Sequence, residues 1–114
     1  MAIAVTTTKN TLATSYAGAG TWISLHTADP GTTGTSEATG GSPAYARKQT
    51  TWGTAASSAV VGSQVSIDVP AGTYTYAGLW SAATAGTFID KVLITSTTLG
   101  AQGIIQVTPT FTES

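Results

Sequence analysis

Val65-Ser66-Ile67-Asp68-Val69-Pro70-Ala71-Gly72-Thr73-Tyr74-Thr75-Tyr76-Ala77-Gly78-Leu79-Trp80 is the stretch whose reading decides the fold. Val65, Ile67 and Val69 recur every second residue, the period of a strand with one face buried. Asp68 between them points outward by the same alternation. Pro70-Ala71-Gly72 stops the run, because proline lacks the donor a ladder needs and glycine opens the backbone to turn conformations. A second alternating run follows, with Tyr74, Tyr76 and Trp80 on one face and Thr75, Ala77 and Leu79 on the other. The short turn predicts that the two strands are closely joined.

The same punctuation extends in both directions. Downstream, Phe88 to Ile94 and Ile104 to Thr110 read as strands around a Thr/Gly-rich connection, and Pro109 predicts an exposed edge. Upstream, Thr21 to Thr27 alternates Ile23 and Leu25 against Trp22, Ser24 and His26, and Tyr45 to Trp52 reads as a further strand. Gly53 to Ser63 is small and polar and reads as connection. Thr8 to Gly20 is the one helical candidate, with Thr8 as cap, Leu12 and Tyr16 one turn apart, and glycines at its end. Being so short, it needs Leu12 and Tyr16 docked on a sheet. About six short strands and one short N-terminal helix predict an all-β domain, a small β-sandwich or jelly-roll-like barrel spanning residues 1–114. The segment 1–8 reads as an arm and 28–43 as a long loop, longer than most connections in a compact domain.

Hydrophobic residues make up 41% of the 114 residues and charged residues only 8%, so the chain can form a core but has replaced surface charge with Thr, Ser, Ala and Gly. Threonine suits a pleated surface and keeps it wet without a charge that packing against a neighbour would have to desolvate. A net charge of −1 and scattered Lys9, Arg47, Lys48 and Lys91 offer nothing to neutralise a phosphate backbone, so nucleic acid is not an expected partner. No stretch has the length and apolarity of a membrane span, and no signal-peptide pattern opens the chain, so synthesis in a host cytoplasm is expected. Cysteine is absent, which removes disulfides and thiolate metal sites.

Chemistry is thinly represented. His26 is the lone histidine, beside Thr27 and Asp29 at a strand end, where hydrogen bonding to the following turn accounts for it better than catalysis. Asp29, Glu37, Asp68, Asp90 and Glu113 form no spaced carboxylate motif, and no nucleophile elbow, P-loop or dinucleotide fingerprint occurs. No enzymatic activity, cofactor or metal is therefore expected. The aromatics Trp22, Trp52, Trp80, Tyr45, Tyr74 and Tyr76 could build a glycan- or protein-binding surface, or fill the space between sheets as expected for Trp80. Tyr45 and Trp52, flanking Arg47 and Lys48, are the better interface candidates, with Ile3 and Val5 of the arm.

Three blocks carry a resemblance: Ile23-Ser24-Leu25-His26-Thr27-Ala28-Asp29-Pro30-Gly31; Gly40-Gly41-Ser42-Pro43-Ala44-Tyr45-Ala46-Arg47-Lys48; and Asp68-Val69-Pro70-Ala71-Gly72 with Gly78-Leu79-Trp80-Ser81-Ala82-Ala83-Thr84. In this order they resemble a family of small bacteriophage proteins labelled tail fibre or minor tail proteins, over roughly residues 20 to 95. Thr35-Ser36 stands where the family often has Ala-Asn, a departure confined to the loop. The resemblance implies a structural protein of the virion, on the capsid surface or the tail. A chain this short without repeats forms a knob, joint or tip and not a fibre shaft. Capsid decoration, as a cement or minor capsid subunit on the major capsid protein, is ranked ahead of a tail fibre or tail-tip role in receptor or glycan binding. A homo-oligomer, most simply a trimer, is the expected assembly.

Overall fold

The computed structural model describes residues 4–112. Helix α1 (Thr6–Ala19) is followed by β1 (Trp22–His26), β2 (Lys48–Gln49), β3 (Ala59–Val61), β4 (Val65–Val69), β5 (Gly72–Trp80), β6 (Phe88–Leu99), β7 (Gly103–Val107) and β8 (Thr110–Thr112). Every pairing between these strands is antiparallel, and the fold is all-β with one short helix, as expected. The strands form a four-stranded sheet, β2-β1-β5-β6, and two ribbons, β3-β8 and β4-β7.

The core lies between the large sheet and the β4-β7 ribbon. Ile23 pairs with Leu79 and Leu25 with Ala77, which puts these four side chains on one sheet face. They meet Val65, Ile67 and Val69 of β4 and Ile105 of β7. Leu25, Ile67 and Val69 are completely buried, each contributing about 1.5–3 kcal/mol relative to an exposed position.

Several sequence expectations change here. β4 and β5 are joined closely, but they pair with different partners, β7 and β1/β6, so Pro70-Ala71 carries the chain from one layer to the other instead of closing a hairpin. The Tyr74 hydroxyl donates to the Pro70 carbonyl at 2.8 Å and fastens that corner. Tyr74 joins the core with Ala77 and Leu79, against strict alternation, because the β5-β6 register shifts between Tyr74 and Tyr76. Ala59–Val61, read as connection, forms a strand because its fully paired partner, β8, lies about fifty residues away, beyond the reach of local pattern. The expected strand 45–52 shrinks to Lys48–Gln49 plus a single bridge from Trp52 to Gly62.

The helix begins at Thr6, two residues earlier than read, behind an extended Val5 and without a side-chain cap, so Thr8 is not its cap. Thr6 to Thr8, assigned to the arm, belong to it. Leu12 is 40% exposed and does not dock. Ala13 and Ala17 pack instead against Val60, and Tyr16 stacks on Phe111 with ring centroids 3.9 Å apart. Weak in itself, α1 is held by these tertiary contacts.

Candidate functional site

The second face of the large sheet carries polar side chains that no sequence period marks as buried. Ser24, opposite Gly78, and His26, opposite Tyr76, are fully buried there. Gly78 makes this possible: a Cβ at that position would lie 2.5 Å from Ser24 Oγ and 2.9 Å from His26 Nε2. The hydrogen bonds run in one direction. Trp80 Nε1 donates to Ser24 Oγ at 2.9 Å, Ser24 Oγ donates to His26 Nε2 at 2.7 Å, and His26 Nδ1 donates to the Thr35 carbonyl at 2.8 Å. This assigns the neutral Nδ1–H tautomer. Burial lowers the His26 pKa below its ordinary value, against the opposing hydrogen bond to Thr35 and the charge of Glu37, with Arg47 also lowering it.

A serine hydroxyl on a histidine nitrogen has the outline of a nucleophile and its base. Here both side chains are 0% exposed, and Phe88 stands edge-on to the imidazole with centroids 6.0 Å apart. The pair ties β1 to the loop, as the sequence position of His26 suggested.

The loop of residues 28–43 folds back over this face. Thr27 N donates to the Ser36 carbonyl, Glu37 bridges to His26, and Ala38 N donates to the Leu25 carbonyl. Arg47 locks the arrangement. Its Nε and Nη2 grip the two Glu37 oxygens at 2.8 and 2.9 Å, a bidentate geometry. Nη1 donates to the carbonyls of Ala82 and Ala85 in the β5-β6 turn at 3.0 and 2.9 Å. The guanidinium also lies over the Trp80 ring, 3.5 Å from its centroid. The Tyr45 hydroxyl donates to Glu37 Oε2 at 2.7 Å and accepts from Leu25 N. Burial tends to raise the Glu37 carboxyl, but the Arg47 and Tyr45 hydrogen bonds outweigh it and hold the group below the usual carboxylate range. Burial and Glu37 together push the Tyr45 hydroxyl well above the ordinary phenol value.

The proposed interface residues therefore separate. Arg47 is buried, with a side chain only 7% exposed, and its hydrogen bonds are internal, as are those of half-buried Tyr45. Trp52 is half-buried, donates from Nε1 to the Gly20 carbonyl at 2.8 Å and meets Tyr16 edge-on. Trp80 is buried, as expected. Lys48 is half-buried in β2, Val5 is 58% exposed, and Ile3 lies outside the described residues. Sequence reading missed Glu37 and Ser24. For Ser24 a signal existed, since Ser24 and His26 share a strand face two residues apart; nothing local singles out Glu37.

A different surface feature is a groove of about 430 Å³ beside β6. One wall is the run Asp90–Ile94, the other is residues 107–112, and Tyr16, Ile23, Trp52 and Leu79 are among the residues between. Val92 and Leu93 in its lining are 58% and 68% exposed. At the Asp90 end, the Tyr16 hydroxyl donates to Asp90 Oδ2 at 2.9 Å. No group of metal-ligating side chains occurs among the described residues.

Polar side chains engaged in internal clamps, with an apolar groove along an outer strand, define a small structural subunit. The chain belongs to the family of the podophage GP4 fiber I protein gp80, whose model matches residues 3–110. It is accordingly a small phage virion protein of a tail-fibre-like family, in agreement with the sequence resemblance. No curated protein and no solved structure matches it. The three blocks that carry the resemblance contribute His26, Arg47 and Trp80, which meet in the buried clamp.

Proposed function

We propose that the protein is a structural subunit of a phage tail fibre, acting as a compact knob or joint. The family match over residues 3–110 carries this reading, and it favours the fibre over the capsid decoration ranked first from sequence. The dimensions agree: at 46 × 25 × 24 Å the molecule forms one short segment of a fibre and needs partners to extend it. A structural role is also favoured over glycan capture. Of the six aromatics named from sequence, Trp80 and Tyr74 are buried and the polar ends of Trp52 and Tyr45 are bonded internally, which leaves the half-buried Trp22 and Tyr76.

The copy number per particle tests the placement. Quantitative mass spectrometry of purified virions, referenced to the major capsid protein, should give on the order of ten copies for a device of threefold or sixfold symmetry at the tail. A count on the order of hundreds would overturn the fibre reading and restore capsid decoration.

A further inference from the structure

Residues 28–36 form a flap over the buried polar face, and an imidazole holds it down. Within the flap, Gly34 N and Thr35 N donate to the Pro30 carbonyl at 3.0 and 3.1 Å, so the segment keeps its own shape. It lies on Trp80 and Phe88, whose rings meet edge-on with centroids 5.1 Å apart; a Cβ at Gly34 would press on both. Three polar ties join it to the sheet: His26 Nδ1 to the Thr35 carbonyl, Thr27 N to the Ser36 carbonyl, and, at the exposed outer end, Lys91 to Asp29. Of these, the His26 tie alone is made by a fully buried side chain. Ser36, at φ +62°, stands in the left-handed region between the flap and Glu37, where the Arg47 clamp begins.

We infer that His26 is an acid-operated latch: protonation of its ring breaks the donor chain from Trp80 through Ser24 to Thr35, and residues 28–36 lift off Trp80 and Phe88 while the Glu37–Arg47 clamp stays closed. Nδ1 already carries a proton, so an added one can sit only on Nε2, 2.7 Å from Ser24 Oγ. Ser24 Oγ must then accept from both Trp80 Nε1 and His26, and its own proton loses its acceptor; among the described residues it has no other hydrogen-bond partner. The new charge also lacks a counter-ion. Both Glu37 oxygens are held by Arg47, one of them also by Tyr45, and Asp29 on the flap is paired with Lys91. Lys91 itself lies over the ring of Tyr76, the residue opposite His26 on β5, and Asp90 faces the other side of the sheet, bonded to Tyr16. An enclosed, unmatched cation is relieved by water, and the flap is the one covering segment that no strand ladder fixes.

The charge states of the neighbours set the window. Asp29, through its hydrogen bond from Lys91, and Glu37, against its burial through those from Arg47 and Tyr45, both keep their charge below their ordinary range. Between pH 6.5 and 4.5, His26 is therefore the group facing the flap that changes charge. Its proton is bound less readily with the flap closed than with the ring in water, so each pH unit below 6.5 favours opening by up to about tenfold. The device goes beyond the structural-subunit reading and holds wherever in the virion the subunit sits.

Hydrogen exchange of the full chain, followed by NMR and expressed as protection factors so that intrinsic pH dependence cancels, tests the latch. The reporters are the Thr27 amide, bonded to Ser36, and the Trp80 indole N–H, bonded to Ser24. At pH 7 both should be less protected than the core amides of β4 and β5, and low urea should not accelerate them, the mark of an opening smaller than unfolding. From pH 7 to 5.5 their protection should fall about fivefold to tenfold, in step with titration of the His26 ring nitrogens. His26→Gln should abolish the change. The ring titration is read in the wild type, so the test stands even where the variant does not fold. Reporters as protected as the core, protection that holds down to pH 5.5, a ring that does not titrate with the exchange, or the same pH response in folded His26→Gln would each overturn the inference.

Discussion

Replacing Arg47 by alanine should cost about 3 kcal/mol of folding stability. Truncating one member of a buried, hydrogen-bonded ion pair typically costs about 3–5 kcal/mol, chiefly because its partner is left charged and poorly hydrated. The lower end applies here. The Glu37 side chain is 21% exposed and regains some water, and Ala82 and Ala85 lie in an exposed turn where solvent can replace Nη1. Loss of the guanidinium from the Trp80 face adds a packing defect. At about 2.1 cal/mol/K per residue, 114 residues give an unfolding entropy of about 0.24 kcal/mol/K, so 3 kcal/mol lowers Tm by about 12 °C. Scanning calorimetry at neutral pH measures this directly. Glu37→Gln combined with Arg47→Met should recover part of the loss seen with Arg47→Met alone, since neither partner then holds an unpaired charge. A fall in Tm below about 4 °C for Arg47→Ala, or strictly additive effects in the pair, would refute the clamp as a determinant of stability.

Ser24→Ala removes the hydroxyl that joins Trp80 Nε1 to His26 Nε2 and should cost about 1–3 kcal/mol in urea titrations, with a tryptophan emission change reporting the orphaned indole. Gly34 has φ +79°, and a Cβ there would overlap the Trp80 ring, so Gly34→Ala should destabilise by at least about 2 kcal/mol; a neutral Tm would show that the loop does not sit on Trp80 as described. His26 binds its proton less readily folded than unfolded, so its contribution is fully present above pH 6.5 and is lost as pH falls below that value. The Glu37 contribution is lost only below about pH 4.5, so the urea midpoint should decline between pH 7 and 5, and His26→Gln should flatten that decline. An equal slope in the variant would remove His26 as its source.

Much of the fold was legible because it is written in local periods. Val65, Ile67 and Val69 face the core as their alternation requires, and Ile23 with Leu25 does the same. Where the reading failed, the deciding partner was distant. Ala59–Val61 becomes a strand because residues 110–112 lie beside it, and Tyr74 enters the core through a register shift that its own segment does not encode. The helix illustrates the same limit: a period of 3.6 marked Leu12 and Tyr16, but the helix buries Ala13 and Ala17 against Val60 of the distant β3.

The sequence by itself determined the strand-rich class, the break between strands at Pro70, the scarcity of charge, the absence of cysteine, and the family whose three blocks it carries. Alternation, turn chemistry and composition are properties of neighbouring residues, so no fold is needed to read them. Only the tertiary structure decided that Arg47 and Tyr45, which look like surface contacts in sequence, close on Glu37 and Trp80 inside the subunit. It also decided that residues 90–94 of β6 and residues 107–112 line one groove. Pairing of charges and of strand edges depends on which distant segments the fold brings within hydrogen-bond reach, and separation along the chain carries no trace of that distance.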